Sequence, residues 1–393
     1  MSQLHQFKSE LQQQLSDILT FWMKHSVDEQ YGGFYGVISN QNEVNVDAPR
    51  GLVLNARILW TFSAAFNLTN DKSYLQMADR AYHYLTTGFI DKTFGGFFWS
   101  IDKYGQPVET KKQVYGMAFC CYAFSEYYKA NNGIDPLNHA KECFNLIEKH
   151  SFDGKNSGYF EAFTREWQQI GDMRLSGKDA NEKKTMNTHL HILEAYTNLY
   201  SVYHSERLKK IILQLLSDFS DHIIDSRGDH LGLFFDENWA VKSFDISYGH
   251  DIEAAWLLME AAKTIDDPQW VEKTLGYSLQ LTRGAREGLD SDGGLWHENV
   301  NGKLVRQKHW WPQAEAMVGF FNAWQYNGKK EYLQHSINSW QFVQQKLLDR
   351  KYGEWFWGIN EDDSVMDGQY KAGFWKCPYH NARACMEIIK RIN

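Results

Sequence analysis

The sequence predicts an all-α fold, an (α/α)6 barrel of six inner and six outer helices. Three observations support this expectation. Six short glycine-aromatic segments recur at near-equal spacing, two helical stretches separate each from the next, and the two kinds of stretch differ in polarity. The segments are YGGFYG (31–36), FGGFFWS (94–100), SGYFEAF (157–163), LGLFFDENW (231–239), GGLWHE (293–298) and YGEWFWG (352–358). Anchored on Gly33, Gly96, Gly158, Gly232, Gly294 and Gly353, they step by 63, 62, 74, 62 and 59 residues. A period near 60, repeated six times, marks one supersecondary unit copied around a ring.

One set of helical stretches covers roughly 4–24, 72–87, 135–150, 207–223, 267–282 and 331–347. Leu, Ile and Phe recur there at three- and four-residue steps beside Lys, Gln and Glu, as a half-solvated outer layer requires. The other set covers roughly 51–67, 113–129, 187–203, 250–264, 312–326 and 378–391. It is more apolar and aromatic, as an inner layer buried on most of its surface would be. The glycine-aromatic segments are expected as short hairpin strands at one rim, each feeding an inner helix. The long interval of 74 residues is explained by 164–186, a polar stretch without helical periodicity. A loop of that length is either a binding lid or a surface excursion.

The repeat shows no major break, and with six prolines and no Pro/Ser-rich linker the chain reads as one domain, 1–393. Its 43% hydrophobic content supports a large core. Aromatic residues reach 15%, with fifteen Trp, whose flat faces can pack a core or stack on sugar rings. A net charge of −8, without a Lys/Arg cluster, argues against a nucleic-acid partner. No apolar run approaches a membrane span. The N-terminal segment reads as an amphipathic helix and not a signal peptide. Five cysteines, odd in number and without a CxxC pair, fit a reducing compartment, so a cytoplasmic location is expected. The acidic surface without an apolar stripe favours a monomer.

The inner stretches carry an unusual set of polar residues near their starts: Asn55, Arg57, Tyr115, Asn187, His189, His191, His250, Glu253, Trp256, Trp310, Trp311, Glu315 and His380. Burying such groups costs several kcal/mol each unless they are paired. Their convergence on one axis therefore predicts a polar pocket. Asn187 and His191 share a helical face, while His189 points away and is read as a packing histidine. His250 and Glu253 share another face, extended by Trp256, as do Trp311 and Glu315. His297 and His309 lie near the rim and read as surface residues. No HExxH or Cys/His ligand cluster, GxGxxG, P-loop or GxSxG motif occurs, so neither a metal nor a cofactor is expected. Histidines with an arginine and carboxylates suit proton transfer: neutral imidazole is a base near pH 7, and arginine stabilises an oxyanion beside a carbonyl. That chemistry points to epimerisation or isomerisation of a reducing sugar through an enediolate.

Five segments bring a family into view: GLVLNARILWTFS (51–63), MNTHLHILEAYTNLY (186–200), YGHDIEAAWLL (248–258), KHWWPQAEA (308–316) and WKCPYHNARAC (375–385). Across its whole length the chain resembles the N-acylglucosamine 2-epimerase superfamily, and most closely the branch acting on cellobiose and other β-1,4-linked disaccharides. The resemblance implies an (α/α)6 barrel and cofactor-free 2-epimerisation of the reducing-end glucose. It places the C2 acid/base pair on His250 and His380. His191 becomes a third active-site histidine, and Arg57 binds the enediolate. Tyr115, Asn187 and Glu253 would bond sugar hydroxyls, with Glu315 in the same substrate-binding set. Trp375 and one of Trp310 and Trp311 would sandwich the ring. Asp179 matches a substrate-contacting aspartate and favours the lid reading of its loop. Three other readings compete. A D-mannose 2-epimerase or aldose–ketose isomerase would use the same residues. A glycoside hydrolase would need two of Asp179, Glu253 and Glu315 across a scissile bond. A non-catalytic sugar-binding module would keep only the tryptophans.

Overall fold

The computed structural model describes residues 3–225 and 228–392. Among them the chain forms twelve α-helices in two concentric rings, the predicted (α/α)6 barrel. The outer ring comprises α1 (Gln3–His25), α3 (Lys72–Tyr84), α5 (Ile134–His150), α7 (Glu206–Asp218), α9 (Pro268–Glu287) and α11 (Lys330–Phe342). The inner ring comprises α2 (Leu52–Thr69), α4 (Val114–Asn131), α6 (Met186–Tyr200), α8 (Tyr248–Thr264), α10 (Trp310–Asn327) and α12 (Tyr379–Arg391). Each inner helix packs on the next, and α12 packs on both α10 and α2, which closes the circle. Burial follows the polarity of the sequence. Every residue of α2 from Leu52 to Ala65 is buried, whereas α3 buries only Met77, Ala78 and Ala81.

Three outer helices end differently from the expected continuous pattern. They finish in five-residue π turns at Leu85–Phe89, Phe219–Ile223 and Val343–Leu347. The wider turn points both its first and its last residue inward, and both are buried in each case. Helix α9 instead runs five residues beyond its expected end, to Glu287.

The rim is knitted between repeats rather than only within them. The two residues before an inner helix pair antiparallel with a strand of the following repeat: Arg50–Gly51 with Ser100–Ile101, Lys112–Gln113 with Ala162–Phe163, and Lys184–Thr185 with Phe234–Phe235. Ile246–Ser247 and Lys308–His309 pair in the same way with 298–299 and 358–359. The last repeat returns to the first, Tyr370–Ala372 against Val37–Ser39. The glycine-aromatic segments fold back on the end of the preceding outer helix through single bridges such as Val27 to Phe34 and Phe152 to Tyr159. Gly158 shows why one of these positions is glycine. Its φ is +78°, and a Cβ there would fall 2.4 Å from the Trp239 ring and 2.8 Å from His189 Nε2.

An ion pair recurs beneath the rim, buried in four cases and with its aspartate partly exposed at Asp290: Asp28–Arg50 (2.7 Å), Asp91–Lys112 (2.9 Å), Asp153–Lys184 (2.8 Å), Asp290–Lys308 (2.7 Å) and Asp349–Lys371 (2.6 Å). The same aspartates accept N–H bonds from the turn that follows, as Asp153 does from Lys155 and Asn156. Each pair fixes the glycine-aromatic turn to the segment that launches the inner helix. Lys184 is fully engaged, donating also to the carbonyls of Ser157 (2.6 Å) and Glu237 (2.9 Å).

Removing one partner of such a pair leaves an uncompensated buried charge. Lys184→Met is expected to lower unfolding free energy by about 3–5 kcal/mol in urea titration, whereas the exposed neighbour Lys183→Met should change it by under about 0.5 kcal/mol. Burial alone would raise the Asp153 carboxyl, but Lys184 and the turn N–H groups hold it below the ordinary range. Its contribution is therefore complete above about pH 4 and is lost as the pH falls further.

Candidate active site

The starts of the inner helices, at the knitted rim, surround a cavity of about 670 Å³. Eleven of the twelve sequence-derived candidates line it: Arg57, Tyr115, Asp179, Asn187, His191, His250, Glu253, Trp310, Trp311, Trp375 and His380. Glu315 does not. It lies behind His380, with His380 Nδ1 at 2.7 Å from Oε1, and so cannot be a direct ligand contact as the sequence reading had it. The 164–186 loop forms one wall through residues that include Met173, Lys178 and Asp179. It is anchored by Arg165 to Asp91 and by Trp167, which stacks on His150 at 4.3 Å.

Of the five histidines that line the cavity, His191, His250 and His380 are held from behind through Nδ1. His191 Nδ1 meets Glu194 Oε2 at 2.9 Å, His250 Nδ1 meets Ser247 Oγ at 2.8 Å, and His380 Nδ1 meets Glu315 Oε1. Their Nε2 atoms are left for the cavity. For two of them the acceptors settle the tautomer. Glu194 Oε1 already accepts from Arg383 and Tyr379, and burial, which would raise this carboxyl, is outweighed by Arg383, which brings it to about 2. Glu194 is thus ionised, and His191 Nδ1 donates to it. Glu315 Oε1 accepts from Arg383 Nη2 (2.7 Å) and its Oε2 from Trp256 Nε1 (3.1 Å), so His380 Nδ1 donates as well. Both imidazoles therefore present a lone pair on Nε2.

Burial keeps these rings neutral. His250 is brought down to about 3, by burial first and then by His191 and His297. His380 is held well below the ordinary imidazole value by burial and then by Arg57 and Arg383. His191 is lowered by burial against the pull of Glu194. Glu253 goes the other way, to about 8, through burial and the nearby Glu315, and burial raises Glu315 as well. Glu253 Oε1 accepts from Arg383 Nη2 at 2.6 Å.

Arg57 is clamped between rings, its guanidinium 4.2 Å from the centroid of Phe119 and 4.9 Å from that of Tyr379. It donates to Tyr115 Oη (2.8 Å) and to the Trp375 carbonyl (3.3 Å), while its Nε has no partner. Asn187 Oδ1 is likewise unpartnered. Trp311 is the more open member of its pair, its ring centroid 4.7 Å from His250 and 5.8 Å from His380. Trp310 is buried against Trp357 at 4.5 Å.

His189 packs, as read. Its Nδ1 donates to the Thr185 carbonyl (2.6 Å), and its Nε2 accepts from Tyr159 N (2.9 Å). Asn55 bonds its own helix start at Gly51 and takes no part in the cavity. His297 and His309 are not surface residues. They stack at 3.8 Å in the cavity wall, His309 buried and His297 partly so. Arg383, Glu194, Tyr379 and Glu161 had gone unread. Glu161, pushed up to about 8 by burial, sits in the SGYFEAF segment, where a lone acid among apolar residues was the available signal. Glu253, Glu315 and His380 set ligand atoms within 4.8 Å of one another, a metal-like spacing. The Arg383 guanidinium stands against both Glu253 and Glu315.

The family model for N-acylglucosamine 2-epimerase (GlcNAc 2-epimerase) matches residues 33–384. The chain belongs to this family. Among curated relatives it is 48% identical over 385 residues to the cellobiose 2-epimerase of Bacteroides fragilis, covering 97% of this chain and 98% of that one. It is 38% identical to the cellobiose 2-epimerase of Dictyoglomus turgidum, with 98% of each chain covered. Among solved structures, the cellobiose 2-epimerase of Spirochaeta thermophila superposes with a TM-score of 0.93 at 40% identity, covering 99% of this chain and 97% of that one.

The depressed histidines make stability acid-sensitive. A ring kept neutral in the folded state contributes fully above its unfolded value near 6.5 and loses that contribution as the pH falls towards the folded value. Between pH 7.5 and pH 5, His189 and His250, both brought to about 3, are each expected to remove about 2 kcal/mol. Urea titrations of the parent and of His189→Gln at the two pH values read the effect. A loss in the variant as large as in the parent would contradict it for His189.

Proposed function

We propose that the protein is a cofactor-independent 2-epimerase that interconverts the reducing-end glucose and mannose of β-1,4-linked disaccharides, cellobiose and lactose among them. The observation that bears most weight is the set of three neutral imidazoles, each anchored through Nδ1 and opening Nε2 on one cavity beside Arg57. After ring opening, assisted by His191 at O1, one of His250 and His380 takes the C2 proton and the other returns it to the opposite face. Arg57, caged by Phe119, Tyr379 and Tyr115, stabilises the oxygen of the enediolate. Glu253 can bond a sugar hydroxyl, with Tyr115 and Asn187 as further hydrogen-bonding partners. Trp375 and Trp311 supply flat walls for the ring, and Trp311 is favoured over the buried Trp310. Asp179 contacts the substrate from the loop. Glu315 acts through His380 as a positioning residue.

The hydrolase reading is less well supported. Glu315 does not reach the cavity, which leaves Asp179 and Glu253 as the one pair of the three candidate carboxylates there, and that reading gives the three anchored histidines no role.

Cellobiose incubated with the protein in deuterated water and followed by NMR is expected to give the mannose epimer with deuterium at C2. Glucose release, or epimer without deuterium, would defeat the reading. Deuterium at C1 with a ketose product would mark an aldose–ketose isomerase. His250→Ala and His380→Ala are each expected to lower kcat by about 10²–10⁴-fold while leaving the helical circular dichroism unchanged.

A further inference from the structure

The barrel has a second mouth. All six inner helices start at the knitted rim, so their C-terminal ends gather at the far end. A cavity of about 130 Å³ lies there, bounded by residues such as Ser201 and Thr264 at the ends of α6 and α8. It is several times the space one water needs. Arg383 and Glu194 belong to its lining, whereas Glu253, on the other side of the same guanidinium, lines the active cavity.

Hydrogen-bonding capacity is unspent at both ends of this space. Arg383 uses its terminal N–H groups on Glu194 and Tyr379 through Nη1, and on Glu253 and Glu315 through Nη2. Its Nε–H is left over, buried and without a partner. Trp60 stacks on Tyr122 at 5.0 Å, and its one polar side-chain atom, Nε1, is likewise buried and unpartnered. An unpaired buried donor is costly, and native structures usually satisfy it. The basic residues of the lining are already paired: Lys129 with Glu126 at 2.9 Å, Lys390 with Glu387 at 3.5 Å, and Arg383 with Glu194. Glu260 is the acid that remains. It is exposed, and it forms no ion pair or hydrogen bond with the described residues.

These groups disfavour a charged ligand of either sign. An anion would meet the spare carboxylate of Glu260 and the partial negative charge of the helix C-termini. A cation would meet the N–H groups of Trp60 and Arg383, where both oxygens of Glu194 are already engaged. A neutral molecule with hydroxyl groups satisfies all of them, accepting from Trp60 and Arg383 and donating to Glu260, with C–H faces against the aromatic lining. We propose that this cavity is a second ligand site, for a short uncharged polyol between glycerol and erythritol in size, held by Trp60 Nε1, Arg383 Nε and the Glu260 carboxylate. The assignment stands apart from the reaction proposed for the other cavity, whose lining includes neither Trp60 nor Glu260.

Erythritol, which has no carbonyl to enolise, is the probe. Ligand-observed NMR titration of the full chain, with cellobiose saturating the active cavity, is expected to show saturable binding. Trp60→Phe keeps an aromatic ring and deletes the N–H, and Glu260→Ala deletes the acceptor. Each is expected to weaken erythritol about 5-fold or more, as one lost hydrogen bond implies, while cellobiose binding stays within about 2-fold. Binding that does not saturate, or equal affinity in the parent and both variants, would overturn the site. Displacement of erythritol by an equal concentration of chloride or ammonium would overturn the neutral class of ligand. A crystal of the parent soaked in erythritol that shows ordered water only at Trp60 Nε1 and Arg383 Nε would also overturn the assignment. If cellobiose does not bind, the reading of the active cavity fails, and the comparison of parent with variants still decides this site. Should Trp60→Phe not fold, Glu260→Ala, at an exposed position, gives the same comparison.

Discussion

One buried cation governs the floor of the barrel. Arg383, on the last inner helix, donates to Glu194 from α6, Glu253 from α8 and Glu315 from α10. Its guanidinium also lies over the rings of Tyr379 and Trp256 at 4.3 and 4.9 Å. Three carboxylates this deep could not stay charged together, and an unpaired arginine there would be equally costly. The compromise is uneven. Glu194 and Glu315 accept on both oxygens, which suits carboxylates, whereas Glu253 accepts from Arg383 on Oε1 and is raised to about 8 by burial and by Glu315. Glu194 and Glu315 then orient His191 and His380 through Nδ1, while burial raises Glu253 and Glu315 and Arg383 lowers Glu194. The protonation pattern of the cavity is thus written by a residue that does not line it.

Much of this was legible in the sequence, and the reasons differ by element. The sixfold period gave the barrel because each repeat must bury its apolar faces against its neighbours, so spacing alone defines the ring. His189 was separable from His191 by helical phase. Glu315 was not separable from a cavity residue by phase, because the four-residue step from Trp311 fixes a face but not a depth. His297 and His309 lie on the rim, outside any helical period, and their burial comes from stacking on each other and from edge-on contact with Trp311 and Trp357. Arg383 left a fainter trace, a lone charged residue in the run Ala-Arg-Ala-Cys, and its three partners are distant in sequence. The recurrent Asp–cation pairs could have been found. An aspartate precedes the anchoring glycine by four or five residues in five repeats, at Asp28, Asp91, Asp153, Asp290 and Asp349.

The cavity chemistry and the rim are joined through short lever arms. The ion pairs hold the turn to the segment entering each inner helix, and the polar residues of the cavity occupy the first turns beyond that segment. His250 follows Ser247 by three residues, and Ser247 is both the partner of its Nδ1 and the residue paired with Glu298 of the next repeat. The identity of the fold and the orientation of a catalytic candidate therefore meet in one serine.

The strand ladder that runs from each repeat to the next also sets the mechanical compliance of the mouth. Because the last ladder returns to the first, an inner helix cannot tilt outward without dragging the neighbour on either side, and the hoop resists dilation as a unit. The segments that lie outside the hoop are not held in this way. The 164–186 wall, tethered at Arg165 and Trp167 but free of ladder pairing around Lys178 and Asp179, is the compliant part. The wall around Lys178 and Asp179 is thus the part of the cavity lining that the hoop does not constrain.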